Sequence, residues 1–286
     1  MAVSRNPMFL RQMLRDRLRR ARESAALTQQ QVADTFGWSP SKVIRIENGK
    51  IGVSITDAMA LADRYGLAEE ERRELVELAR AARQPPWFAP YKGVMSPELE
   101  AYIAYEESAV VVRAFERNVM PGLLQTEEYA RSILQAIDGD SVEMAEMRVE
   151  LRMRRQQILT SEEARFFFIL DEAVLRRAIG GVDVMRQQCE TLLRMNELPN
   201  VTVYYVPFAA GAYSFFRTPY QVFTFDTGDP VAYLETTEGE VLLHERVPGI
   251  DRREPSDYLD AFLSVERGLA QRLTEEVLFG ERGVTG

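Results

Sequence analysis

The chain has 286 residues with 35 Lys/Arg, 44 Asp/Glu, one Cys and a net charge of −9, and 46% of it is hydrophobic. That is the composition of a globular protein of one large or two ordinary domains. No apolar run approaches the roughly 20 residues of a membrane-spanning helix, and a lone Cys189 excludes an internal disulfide. The start of the chain lacks the apolar core of a secretory signal, so a cytoplasmic location is expected. The charge is unevenly placed: residues 1–83 hold 15 Lys/Arg and 11 Asp/Glu, residues 84–286 hold 20 and 33. A basic head on an acidic chain points to a polyanion at one end.

Five helices are predicted before residue 84. The first runs from Met8 to Ser24, with Phe9, Leu10, Met13, Leu14, Leu18 and Ala21 at three- and four-residue spacing. Thr28 is the expected N-cap of a second helix over Gln29 to Thr35 that buries Val32 and Ala33. Gly37 supplies the turn that follows. Ser39 is expected to cap a third helix with Pro40 at its first position, where a missing N–H costs nothing. That helix ends at Asn48-Gly49. Thr56 is read as the cap of a fourth helix through Ala62, and a highly charged fifth follows Gly66.

Two short helices about a glycine turn form a helix-turn-helix, whose second helix enters the major groove of DNA. Val43 and Ile46 point inward, while Ser41, Lys42 and Arg45 lie outward beside Pro40 and Ile44. Arg45 can present a fork to guanine, Ser41 can hydrogen-bond and Ile44 can touch a thymine methyl. Asn48, Lys50 and Gln29 suit phosphate oxygens. With Ser39, these are the candidate DNA-binding residues.

The stretch LTQQQVADTFGWSPSKVIRIENGK (Leu27 to Lys50) resembles the DNA-binding domain of Xre-type regulators, relatives of the lambdoid phage repressors. The resemblance covers about residues 10–68, and its most specific part is the R-I-E-N-G-K ending. It implies that Gln29, Ser41 and Arg45 face bases or adjacent backbone, and that Arg22 pairs with Glu47 to brace the recognition helix. Pro40 stands where members of the family often place a polar base reader.

RQPPWFAPYKG (Arg83 to Gly93) breaks the helical pattern, because Pro-Pro is stiff and extended. Residues 84–95 are therefore read as a linker, with Trp87, Phe88 and Tyr91 expected to dock it onto the second domain, residues 96–286. There, helices are predicted over Pro97 to Phe115, Thr126 to Ile137 and Ser141 to Leu159. RFFFILD (Arg165 to Asp171) suits a buried strand, and DEAVLRRAIGG a short helix stopped by Gly180-Gly181. A helix over Val182 to Leu198 leads to a strand, Val201 to Pro207. Tyr220 to Phe225, Val231 to Glu235 and Glu240 to His244 alternate like antiparallel strands, and a last helix is predicted over Ser256 to Leu278. Its apolar side, with Tyr258, Phe262, Val265, Leu269 and Leu273, is read as packed within the domain, a dimer surface being the alternative. The expected fold is thus multidomain, an all-α five-helix lambda-repressor-like domain followed by a larger α+β (mixed α/β) domain.

VMPGLLQTEEYAR (Val119 to Arg131), RRQQIL (Arg154 to Leu159), LDEAVLRRAIGG and LPNVTVYYVPFAAGAY resemble the domain that follows the Xre module in actinobacterial regulators of the WhiJ-like and antitoxin-like kinds. The resemblance implies a domain that senses a partner or a ligand, often with a small companion protein encoded nearby.

No catalytic constellation emerges. His244 stands alone in its predicted strand, Cys189 lies mid-helix at a position expected to be buried and inert, and no metal-ligand, Walker or dinucleotide spacing is present. Asp226, Asp229, Glu235, Glu238 and Glu240 are read as solvated turn carboxylates rather than a metal site. No enzyme activity, cofactor or metal is therefore expected. Aromatics gathered around glycine between Tyr204 and Phe225 offer one possible ligand or partner pocket, with Tyr204, Phe208, Tyr213, Phe216 and Phe223 as its candidates. Together these observations lead to the expectation of a transcriptional regulator that binds operator DNA as a homodimer. Its C-terminal domain is expected to dimerise and hold a companion protein, or alternatively to bind a small-molecule effector that switches DNA affinity.

Overall fold

A computed structural model describes residues 6–136, 141–226, 229–236, 239–243 and 253–280. The chain divides between Ala89 and Pro90 into two compact units. Among the described residues no helix is long and apolar enough to cross a membrane.

Among the described residues, the first unit contains five helices: α1 (Pro7–Ser24), α2 (Gln29–Phe36), α3 (Pro40–Glu47), α4 (Ile55–Tyr65) and α5 (Glu69–Ala81). Their ends follow from local chemistry. Asn6 caps α1, with Pro7 in its first turn. Thr28 and Gln31 form a reciprocal capping box at α2, and Gly37, in the left-handed region at φ 63°, closes it. Two cap expectations need correction. The cap of α4 is Ser54, which accepts from the Asp57 N–H at 2.9 Å, and Thr56 lies inside the helix. Ser39 does occupy the N-cap of α3, but its hydroxyl makes no cap bond. The helices close on one core of Leu14, Leu18, Val32, Val43, Ile46 and Leu61 with their neighbours.

The second unit is built on a mixed sheet of β1 (Val111–Glu116), β2 (Arg165–Asp171), β3 (Val201–Val206), β4 (Tyr220–Thr224), β5 (Val231–Thr236), β6 (Gly239–Leu243) and β7 (Gln271–Arg272). The described strands run in the order β6-β5-β4-β1-β2-β3-β7. β1, β2 and β3 are parallel, and the other pairings are antiparallel. α6 (Pro97–Ser108) precedes β1. α7 (Glu127–Ala136) and α8 (Val142–Arg155) cross from β1 to β2, and α9 (Glu172–Arg176) and α10 (Val182–Asn196) from β2 to β3. After β6 come α11 (Pro255–Gly268) and, beyond β7, α12 (Glu275–Phe279). One sheet face, carrying Phe115, Ile169, Tyr220, Val222 and Leu234, packs on Tyr258, Phe262 and Val265 of α11. On the opposite face Tyr102 and Tyr105 of α6 lie against Phe223.

Two predicted helices were too long. The segment Pro97 to Phe115 is a helix only to Ser108; Ala109 is extended at ψ 141°, and Val111–Glu116 is the central strand β1. Covered on both faces, this strand carries only Arg113 and Glu116 as polar residues and shows no regular polar alternation, so its run reads like a buried helix. The terminal helix ends at Gly268, and the chain then pairs Gln271 and Arg272 with Tyr205 and Tyr204 before α12. In the segment expected to link the two domains, a 3-10 turn spans Ala89–Val94. Tyr91 there is buried, its hydroxyl 2.7 Å from Glu150 Oε1.

Candidate nucleic-acid interface

The sequence of α3 separates into two sides. Val43 and Ile46 are buried, whereas Ser41, Ile44 and Arg45 face solvent together with Ser39 and Pro40 at one end and Asn48 and Lys50 at the other. Ile44 is 40% exposed, an apolar side chain left partly open to solvent. Arg45 donates through Nε to the Ser41 carbonyl at 3.3 Å and forms no ion pair among the described residues. Its forked guanidinium is therefore carried on the outer side of the helix.

Behind that surface Glu47 is held by three donors. Arg22 Nε and Nη2 reach its two carboxylate oxygens at 2.6 and 3.0 Å, and Gln29 Nε2 donates to Oε2 at 2.7 Å. Arg22 also donates through Nη1 to the Leu27 carbonyl at 2.8 Å. The Arg22 and Glu47 side chains are only 11% and 5% exposed. The pair thus joins α1, the start of α2 and the end of α3 in one charge-assisted network. Burial and Glu47 together push the nearby Tyr65 hydroxyl up to about 12.

Two expected DNA-facing side chains are engaged inside the unit. Gln29 is one, through Glu47. Lys42 is the other: its ammonium sits 3.5 Å from the centroid of the Trp38 ring and 3.3 Å from Asp57 Oδ2. Both were placed correctly on their helices, but side-chain partners from distant segments are invisible to helical periodicity. Conversely, the sequence reading passed over Arg15. Its side chain lies across Gly49, where a Cβ would collide with the guanidinium, and it lines a cleft of about 720 Å³ with Arg11, Lys50 and Ser54. The only hint of this was the repeat of arginines at positions 11 and 15, one helical turn apart.

In the second unit the five aromatics proposed for a pocket do not share one. Tyr204, Tyr213 and Phe216 pack onto the α11 side of the sheet, and the Tyr213 hydroxyl donates to Asp171 Oδ2 at 3.0 Å. Phe208 is 60% exposed, and Phe223 is fully buried on the α6 side. Strand alternation explains the split, since Tyr220 and Val222 point one way and Gln221 and Phe223 the other. Cys189 is buried in α10, and burial pushes its thiol up to about 12, far from the reactive thiolate range. His244, Glu238 and the side chain of Glu240 lie outside the described residues. Among those described, no group of three or more His, Cys, Asp or Glu could hold a metal.

A cap, a glycine turn and a braced outer helix with an exposed arginine fork place the first unit among helix-turn-helix DNA-binding domains, and residues 14–75 match the family described as helix-turn-helix domain. Residues 99–261, more than half of the chain, match the family described as domain of unknown function (DUF5753), and the chain belongs to that family. No curated protein matches it.

Proposed function

We propose that this protein is a cytoplasmic, sequence-specific transcriptional regulator of the Xre type, without enzymatic activity. The observation that carries the reading is the outer surface of α3. Ser39, Ser41, Ile44 and Arg45 stand exposed on a helix whose inner side is fixed by Val43, Ile46 and the Arg22–Glu47 pair. Arg45 reads a guanine edge, Ile44 a thymine methyl, and Asn48, Lys50 and Arg15 meet phosphates. Gln29 and Lys42 serve the interface by holding it, Gln29 through Glu47 and Lys42 through Trp38 and Asp57. The protein acts as a homodimer on two half-sites about 34 Å apart. The acidic second unit binds a small companion protein in an antitoxin-like arrangement, a role to which the balance of 20 Lys/Arg against 33 Asp/Glu in residues 84–286 lends support.

The test is binding to the DNA upstream of the protein's own gene across a salt series, with Arg45→Ala beside the wild type. Specific binding with a steep salt slope is expected. Arg45→Ala should lose about 1–3 kcal/mol on the preferred site and discriminate less at one base pair. Equal affinity of both proteins for all sequences would overturn the reading. A second reading, a receptor whose ligand switches DNA affinity, is favoured by a cleft at the carboxyl end of β1.

A further inference from the structure

In a sheet with parallel central strands, ligands settle beyond the carboxyl ends of those strands, where neighbouring connections part. Such a point exists here. β1 runs parallel to β2 on one side and antiparallel to β4 on the other, so the chain leaving β1 turns away from β4. The gap holds a cleft of about 880 Å³ between α6, α7, α8, the segment after β1 and the ends of β4 and β5. Its volume is that of a small-molecule site.

Apolar and polar groups share the walls about equally. Met120, Leu134 and Leu151 line it with Tyr102 and Tyr233, and all five are buried. The charged groups divide sharply by whether they are already satisfied. Arg155 makes two bonds to Glu106 at 2.9 and 3.0 Å. Arg152 donates to Gln125 Oε1 at 2.7 Å, and Arg148 to the Val94 carbonyl at 3.1 Å. The Tyr102 hydroxyl lies 2.8 Å from Glu106 Oε1 and 2.5 Å from the Gln221 side chain. Among the buried charged groups of the lining, Glu116, the last residue of β1, is the exception. It is 6% exposed, lines the cleft, and has no hydrogen-bond donor or cation on its carboxyl among the described residues.

A carboxyl buried without a partner is costly in a fold, and strand alternation directs this one to the α6 side, with Gln221, Tyr233 and Glu235 on the same face. We propose that the cleft is the effector site of the second unit and that it takes a small organic cation, an amine or amidine on a flat apolar body. Its charged group rests on Glu116, and its body lies against Leu99, Val119 and Ile133 of the wall. An anionic ligand fits less well, because the arginines around the cleft already hold acceptors whereas Glu116 holds no donor among the described residues. Burial, and then Glu235, hold the Glu116 carboxyl well above its ordinary range, the condition that an incoming cation relieves.

The inference deepens the receptor reading. It is tested without DNA, so that its failure is separate from a failure of operator binding. Benzamidine, a planar amidinium on an aromatic ring, and its neutral counterpart benzamide are titrated into the full chain, with binding followed by protein NMR shifts and thermal stabilisation. Saturable binding of benzamidine and not of benzamide is expected. Glu116→Gln should weaken it by about tenfold or more, the loss of a charge-assisted contact. Asn118→Trp, a change at an exposed position on the rim, should weaken it by obstructing the mouth. Equal binding of benzamide, no binding of benzamidine to the folded wild type, or full affinity in a folded Glu116→Gln protein would overturn the proposal. Should Glu116→Gln fail to fold, unchanged affinity in Asn118→Trp would overturn it alone.

Discussion

Glu47 accepts bonds from side chains of α1 and α2 while sitting at the end of α3. A carboxylate this deeply buried is tolerable only because its donors compensate its lost hydration, and removing it leaves the Arg22 charge stranded. Glu47→Ala is therefore expected to destabilise the first unit by about 3 kcal/mol. Thermal unfolding of the full chain, followed through Trp38 fluorescence in a Trp87→Phe background, would measure this. An unchanged midpoint would show that the pair does not brace α3. Arg22 and Glu47 were legible as a pair only through the resemblance of the surrounding motif, whereas the third donor, Gln29, was read as a DNA contact. Composition cannot reveal which of two partners a polar side chain will choose, because both choices keep it on the same helix face.

Among the elements, α3 shows how a short helix of 8 residues is held in place. Isolated helices of that length are marginal in water, so its stability comes from the turns around it and the core beneath it. Gly49, at φ 70°, reverses the chain at its end under the Arg15 side chain. Gly49→Ala combines the cost of a left-handed backbone with displacement of Arg15, and a loss of about 1–2 kcal/mol of stability is expected. Chemical denaturation would measure it, with DNA affinity falling in parallel if Arg15 serves the interface. The two overlong helix predictions belong to this scale as well. The run Val111 to Phe115 is apolar except for Arg113 because β1 is a central strand between β2 and β4 in a sheet covered by α6 and α11, and that neighbourhood is not written in the run itself.

For the molecule as a whole, basic residues gather before residue 51 and acidic ones dominate after residue 84, so any contact with DNA phosphates falls to the first unit. The balance of protons across the chain contributes a further measurable property. Glu116 keeps its proton in the folded state above the ordinary value of 4.5, from burial first and Glu235 second. The folded chain then binds more protons than the unfolded one, and stability declines as pH rises from that ordinary value through the folded-state titration. The groups facing Glu116 around the cleft are Glu98, Tyr102, Arg148, Arg152, Arg155, Tyr233 and Glu235, and none of them changes in Glu116→Gln. That variant is expected to lose this part of the decline and to exceed the wild type in stability near neutral pH. Paired melting curves from pH 4 to pH 8 would show it, and parallel curves would refute it.

The amino-acid sequence alone determined the order of the two domains, the helix-turn-helix with its Thr28 cap and glycine turn, and the inward and outward sides of α3. Those properties are local: a cap, a left-handed glycine and a helical repeat act within a few residues, and their chemistry is readable in any window that contains them. The tertiary structure alone decided that Lys42 rests on Trp38 and that Tyr204 and Phe223 face opposite sides of one sheet. It also placed Glu116 in a cleft with no donor on its carboxyl among the described residues. Each of these depends on which distant segment arrives to supply or withhold a partner, and strand order and register, not sequence spacing, control that arrival.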